Sequence, residues 1–167
     1  MLGIATLGVL FAGFLALFWL TPLGVPALKT LGGGQSSPDL RFGYRADEIY
    51  RLLDRYGPRG VAHWRRLLWL DMLFPAVYAV LFALLGAKWA QWVDAGPAWE
   101  ACAIGVPIAA GVSDYIENIL FLQIIGALPR RRNAAAACAS LFTRSKFILC
   151  HTTIAIPLIH WAAGLLA

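Results

Sequence analysis

The amino-acid sequence predicts an all-α, polytopic membrane protein: a four-transmembrane-helix bundle with an amphipathic helix on the cytoplasmic side. Three observations predict it. Of 167 residues, 60% are hydrophobic and only 14% are Asp, Glu, Lys or Arg; a soluble domain has about 45–50% and about 25%, so this chain has too little charge to cover a globule in water. The apolar residues gather in four runs long enough to cross a hydrocarbon core about 30 Å thick. The basic residues gather on one side of those runs. The same composition excludes intrinsic disorder, and three Cys with no close pair exclude a disulfide scaffold.

The first span, about residues 1–20, carries no charged side chain and is closed by Pro22 and Pro26, which helix interiors do not tolerate. A signal peptide has a basic leader, whereas no Lys or Arg precedes Lys29. Although Val25-Pro26-Ala27 passes as a cleavage site, the run reads as a retained helix. Residues 28–44 carry turn signals, among them Gly32-Gly33-Gly34 and Ser37-Pro38. An amphipathic helix follows over 45–56, where Ile49, Leu52, Leu53 and Tyr56 recur at i, i+3, i+4 and i+7. Asp47 and Arg51 form an i,i+4 acid-to-base pair on it, and Gly57-Pro58 stops it. It reads as an anchor lying on the bilayer surface or on the bundle; the sharper reading makes it a lid over a cavity. A second helix starts near Arg59 and runs into the second span, about 67–87, which only Asp71 interrupts. The third span, about 101–128, contains Asp114 and Glu117. The fourth occupies about 142–166, its start falling between Ala134 and Phe147. The chain is thus a single membrane domain over 1–167.

Eight basic residues, from Lys29 to Arg66, lie between spans one and two. Five more, Arg130, Arg131, Arg132, Arg144 and Lys146, lie between spans three and four, and only Lys88 falls in the remaining loop. The positive-inside rule therefore places 13 of the 14 in the cytoplasm and both termini outside, periplasmic or extracellular, in a plasma or inner membrane. Anionic lipid headgroups at the cytoplasmic face are the expected partners, not nucleic acid. All seven Trp fall near predicted span ends, as aromatic belts require.

Acids inside a span cost about 2.5–3.5 kcal/mol each, so Asp114 and Glu117 together need about 5–7 kcal/mol of compensation. With Asn118 they stand at i, i+3 and i+4, hence on one helix face, which should point into the bundle. A hairpin of spans three and four centred on Arg131 sets residue i level with 262 minus i, which puts Glu117 between Arg144 and Lys146. The expected ligand-binding cluster is therefore Asp71, Asp114, Glu117 and Asn118 facing Arg144, Lys146 and His151. Arg144 and Lys146 are about 200° apart on their helix, so both cannot face the acids equally. Pro75 should leave the carbonyl of Asp71 without its amide and kink span two there. The plain structural reading of the cluster is an ion-pair network that fixes helix register. The functional reading notes that three acids exceed what one good basic partner neutralises.

No phosphate loop, Cys-x-x-Cys, His-Glu-x-x-His or Gly-x-Ser-x-Gly motif occurs. Haem is not expected, since His151 and His160 share one span on opposite faces, and neither a metal nor another cofactor is implied. Cys102, Cys138 and Cys150 read as small packing residues. In length, span count, the Asp71 to Pro75 spacing and the acids of span three, the chain loosely resembles the emopamil-binding/sigma-2 class. Those proteins hold amphiphilic, sterol-like ligands between their helices. Its charge bias departs from that class, whose termini are cytoplasmic. The leading expectation is a small integral membrane protein that binds, and in a stronger version transforms, a lipid or amphiphile at the acidic cluster. The alternatives are a proton- or cation-coupled transporter or channel using the same carboxylates, and an accessory subunit with a purely structural ion-pair network. Assembly as a homo-oligomer or in a larger membrane complex suits so small a chain.

Overall fold

The four apolar runs become four helices long and apolar enough to cross a membrane. The structure, a computed structural model, describes residues 2–165. Met1 and Leu166, which the predicted first and fourth spans include, lie outside the described residues, as does Ala167. Helix α1 (Leu2–Leu20) ends where Thr21 turns its hydroxyl onto the Leu17 carbonyl ahead of Pro22 (2.7 Å). A short helix α2 (Val25–Leu31) takes Pro26 in its first turn, where the missing amide is not needed. A 3-10 turn at Pro38–Leu40 leads to α3 (Ala46–Asp71). Then come α4 (Phe74–Trp92), α5 (Pro97–Gly126) and α6 (Asn133–Gly164), and no strand occurs among the described residues.

Helix α3 starts under a Glu48 carboxylate that accepts the Arg45 amide (2.8 Å), with Asp47 and Glu48 in the first turn opposing the helix dipole. The predicted stop at Gly57-Pro58 is there: the Ala46–Asp71 stretch is two helical segments meeting at a kink. Gly57 adopts φ 58°, which glycine reaches without steric cost, and Pro58 opens the next helical stretch. A second, milder interruption falls at Met72 and Leu73, both still in right-handed helical geometry. Pro75, in the first turn of α4, has no amide to give the Asp71 carbonyl, and the helix is interrupted there, as the sequence suggested.

Packing runs α1 on α4, α4 on α5 and α5 on α6, whereas α1 and α6 make no substantial contact with each other. At Gly86 the α4 backbone touches the Ala103 carbonyl of α5, an approach any side chain would block. Pro107, four residues on, deprives that same carbonyl of its helical amide. The largest buried cluster lies at one end of this row. It combines Phe18, Leu28, Ile49, Leu53, Trp64 and Leu68 with Phe121 and Ile124 from the end of α5 and with Ala136 and Ala139 from the start of α6. Helices of 30 and 32 residues are about 45 and 48 Å long, well beyond a hydrocarbon core, and α2 and α3 enclose their excess at this end.

The first half of α3 settles the anchor question in favour of the bundle. Ile49, Tyr50 and Leu53 are 1%, 2% and 3% exposed, so the apolar face is closed by protein and none of it is free to enter a lipid surface. Tyr50 ties it to the α5–α6 turn by accepting the Arg132 amide and by lying under the Arg131 guanidinium (5.0 Å). Asp47 likewise reaches Arg131 at 4.0 Å, where the sequence suggested Arg51. Trp64 also departs from the belt expectation: it is 1% exposed and packs on Tyr56 and Phe121.

Candidate functional site

Asp114, Glu117 and Asn118 follow from the spacing of α5: all three are buried, while Val112 and Ile119 on the other face are exposed. Helix α6 supplies one ammonium between the two acids. Lys146 Nζ lies 3.1 Å from Asp114 Oδ1 and 2.5 Å from Glu117 Oε2. Taken with the Thr143 contact to Glu117, these pairs centre the hairpin within about two residues of the register read from the sequence. The Tyr78 hydroxyl of α4 donates to Asp114 Oδ2 (3.1 Å), and Asn118 Nδ2 donates to Asp71 Oδ2 (3.0 Å) at the end of α3. Asn118 Oδ1 is buried without a partner among the described residues.

Behind Glu117 runs a hydroxyl relay. The Thr143 hydroxyl donates to Glu117 Oε1, and the Tyr44 hydroxyl, 2.9 Å from Thr143 Oγ1, donates in turn to it. Thr143 Oγ1 also lies 2.9 Å from the Ala139 carbonyl, but its single proton serves one acceptor at a time. The loop before α3 is pinned here by its backbone too, since the Tyr44 amide donates to Ser140 Oγ (2.9 Å). Burial, and next the Glu117 carboxylate, push the Tyr44 hydroxyl above its usual range.

Beside the cluster lies a cavity of about 410 Å³. Phe11 and Phe18 of α1, Phe74 and Phe82 of α4, and Phe147 and Ile154 of α6 form its apolar wall. Asp39, Asp71, Tyr78, Asp114 and Lys146 are among its polar groups. Asp39 comes from the 3-10 turn and accepts the Ser37 hydroxyl. Helices α1 and α6 both line the cavity without packing substantially on each other.

Five of the seven predicted residues form this connected cluster: Asp71, Asp114, Glu117, Asn118 and Lys146. Glu117 does not reach the cavity; it lies fully buried behind Lys146. Arg144 is not in the cluster. It is exposed and lies against Gly43, on the opposite side of α6 from Lys146, as 200° of separation requires. His151 lines the cavity but does not meet the acids: its Nδ1 lies 2.6 Å from the Phe147 carbonyl of its own helix and its side chain is exposed. Sequence reasoning missed Tyr78, Thr143, Tyr44 and Asp39. Tyr78 had a signal, as the one hydroxyl in the apolar run 74–87; Tyr44 had none, being 99 positions from the threonine it meets.

No cluster of His, Cys, Asp or Glu among the described residues has the geometry of a metal site. Comparison with family models, with curated proteins and with solved structures finds no match for this chain.

Proposed function

We propose that the chain is an integral membrane protein that holds a single-chain amphiphile or lipid in the cavity of about 410 Å³. The observation that carries the reading is the wall of that cavity, apolar along α1, α4 and α6 but bearing carboxylates and one ammonium from α3, α5, α6 and the 3-10 turn. Ionised carboxylates only accept hydrogen bonds, so Asp71 and Asp114 favour a headgroup that donates them, a hydroxyl or an amine. The tail would lie against Phe11, Phe74 and Phe82, entering from the bilayer between α1 and α6. Exposed apolar side chains on both helices, Val9 and Leu15 on α1 and Ile154 and Leu158 on α6, suit a lipid surround. The basic loops support an orientation with the α2–α3 end in the cytoplasm and both termini outside. In that orientation the acids sit toward the cytoplasmic side, where a headgroup belongs.

Gentle extraction followed by mass spectrometry of retained lipids tests the proposal. Wild-type protein and Arg144→Gln should keep an amphiphile enriched over the bulk membrane, and Asp71→Asn with Asp114→Asn should lose it at unchanged fold. Equal lipid complements in all three proteins, or no enrichment in wild type, would reject it.

A further inference from the structure

Next to the main cavity lies a second one of about 180 Å³, between α4, α5 and α6. Its wall includes Gly86, Ala103, Ile156 and Pro157, and it shares Phe82 and Thr153 with the larger cavity. Those two side chains face both spaces. We infer that the smaller cavity is the far end of the same binding site, and that Phe82 sets the length of hydrocarbon chain the site accepts. The inference rests on the amphiphile reading and adds a length selection to it.

The three helices agree on a direction. Going away from the acids, α4 presents Tyr78, Phe82, Gly86 and then Trp89; α5 presents Asp114, Pro107 and Ala103; α6 presents Lys146, Thr153 and Pro157. At about 1.5 Å per residue, Phe82 stands about 6 Å beyond Tyr78, and Trp89 about 10 Å beyond Phe82. A chain whose head meets Asp114 thus runs along α4 and ends against the Phe82 ring. The second cavity would add about 10 Å of apolar path. Thr153 donates its hydroxyl to the Leu149 carbonyl of its own helix (2.9 Å), so it brings no free donor to either space. Phe82 is held edge-on by Phe11 of α1 (5.6 Å between centroids, 86° between planes).

The test uses saturated primary amines of increasing chain length, with the matching alcohols as a second series, bound to protein in amphipol and read by native mass spectrometry. Each methylene that enters an apolar wall should tighten binding about fourfold, and the gain should stop at a defined length in wild type. Phe82→Ala should move that stop to longer chains, and the milder Phe82→Leu should move it less, which guards against a folding defect. Leu85→Trp, at a half-open position on the second cavity, should leave wild type unchanged but cancel the shift in the Phe82→Ala background. A length limit that both Phe82 variants leave in place, or a shift that Leu85→Trp does not cancel, overturns the role of Phe82 while leaving the amphiphile reading intact. Binding of no member of either series to wild type overturns both.

Discussion

Lys146→Met removes the only ammonium from between two buried carboxylates while keeping a flexible side chain of similar length. Lys146 reaches Asp114 at 3.1 Å and Glu117 at 2.5 Å, and its side chain is only 14% exposed. Removing one partner from a buried pair costs about 3–5 kcal/mol, because the remaining charge is left without compensation. In a chain of this size each kcal/mol moves the unfolding temperature by about 2–4 °C, so the variant should melt roughly 6–20 °C below wild type. Intrinsic tryptophan fluorescence during heating in mild detergent reads this directly. Adding Asp114→Asn and Glu117→Gln to Lys146→Met removes the stranded charges and should recover most of the loss. A Lys146→Met protein within about 2 °C of wild type would refute the assigned electrostatics. So would a triple variant no more stable than the single one, since the loss would then come from packing.

Two further outcomes follow from contacts elsewhere. Gly86→Ala should cost about 1–3 kcal/mol, read as a fall of roughly 2–12 °C in unfolding temperature, because the new methyl would overlap the Ala103 carbonyl oxygen. Gly105→Ala in the same helix pair, where the added methyl meets open space, should show no such fall. Burial raises the hydroxyls of Tyr44 and Tyr56 above their usual value near 10, so the folded state keeps protons that the unfolded chain releases. Their contribution is therefore complete below about pH 10 and is lost as pH rises beyond it. Unfolding temperatures across that range should drop more steeply for wild type than for Tyr44→Phe with Tyr56→Phe.

Much of the cluster was legible because its parts obey local rules. The i, i+3, i+4 spacing of Asp114, Glu117 and Asn118 fixes a shared face, and a short turn between two long helices fixes which residues of α6 stand level with it. The 200° between Arg144 and Lys146 already forced a choice, and Gly43 shows where the unchosen guanidinium goes. The interruption at Met72–Leu73 was legible only through Pro75, because the residues themselves are as apolar as the spans on either side. Tyr44 and Asp39 were beyond reach, since a loop's long-range contacts leave no periodic trace. The amphipathic stretch at 45–56 gave its buried face correctly, whereas what covers that face is a tertiary fact.

The concentration of the largest buried cluster at one end gives the molecule two unlike halves. In the proposed orientation, the half built from α2, α3 and the ends of α5 and α6 stands in water, where closing Trp64, Ile49 and Phe121 away from solvent gains from hydration itself. In that orientation the other half would be surrounded by hydrocarbon, where that gain vanishes and helices hold by close fit, as at Gly86 and Ala103. Urea acts by solvating apolar and peptide groups that become exposed. It should therefore loosen the watery cap while the spans stay helical. In the proposed orientation Lys146 and its acids would sit at the seam between these regimes, so undoing the cap would flood them with water and open the proposed headgroup end of the cavity first.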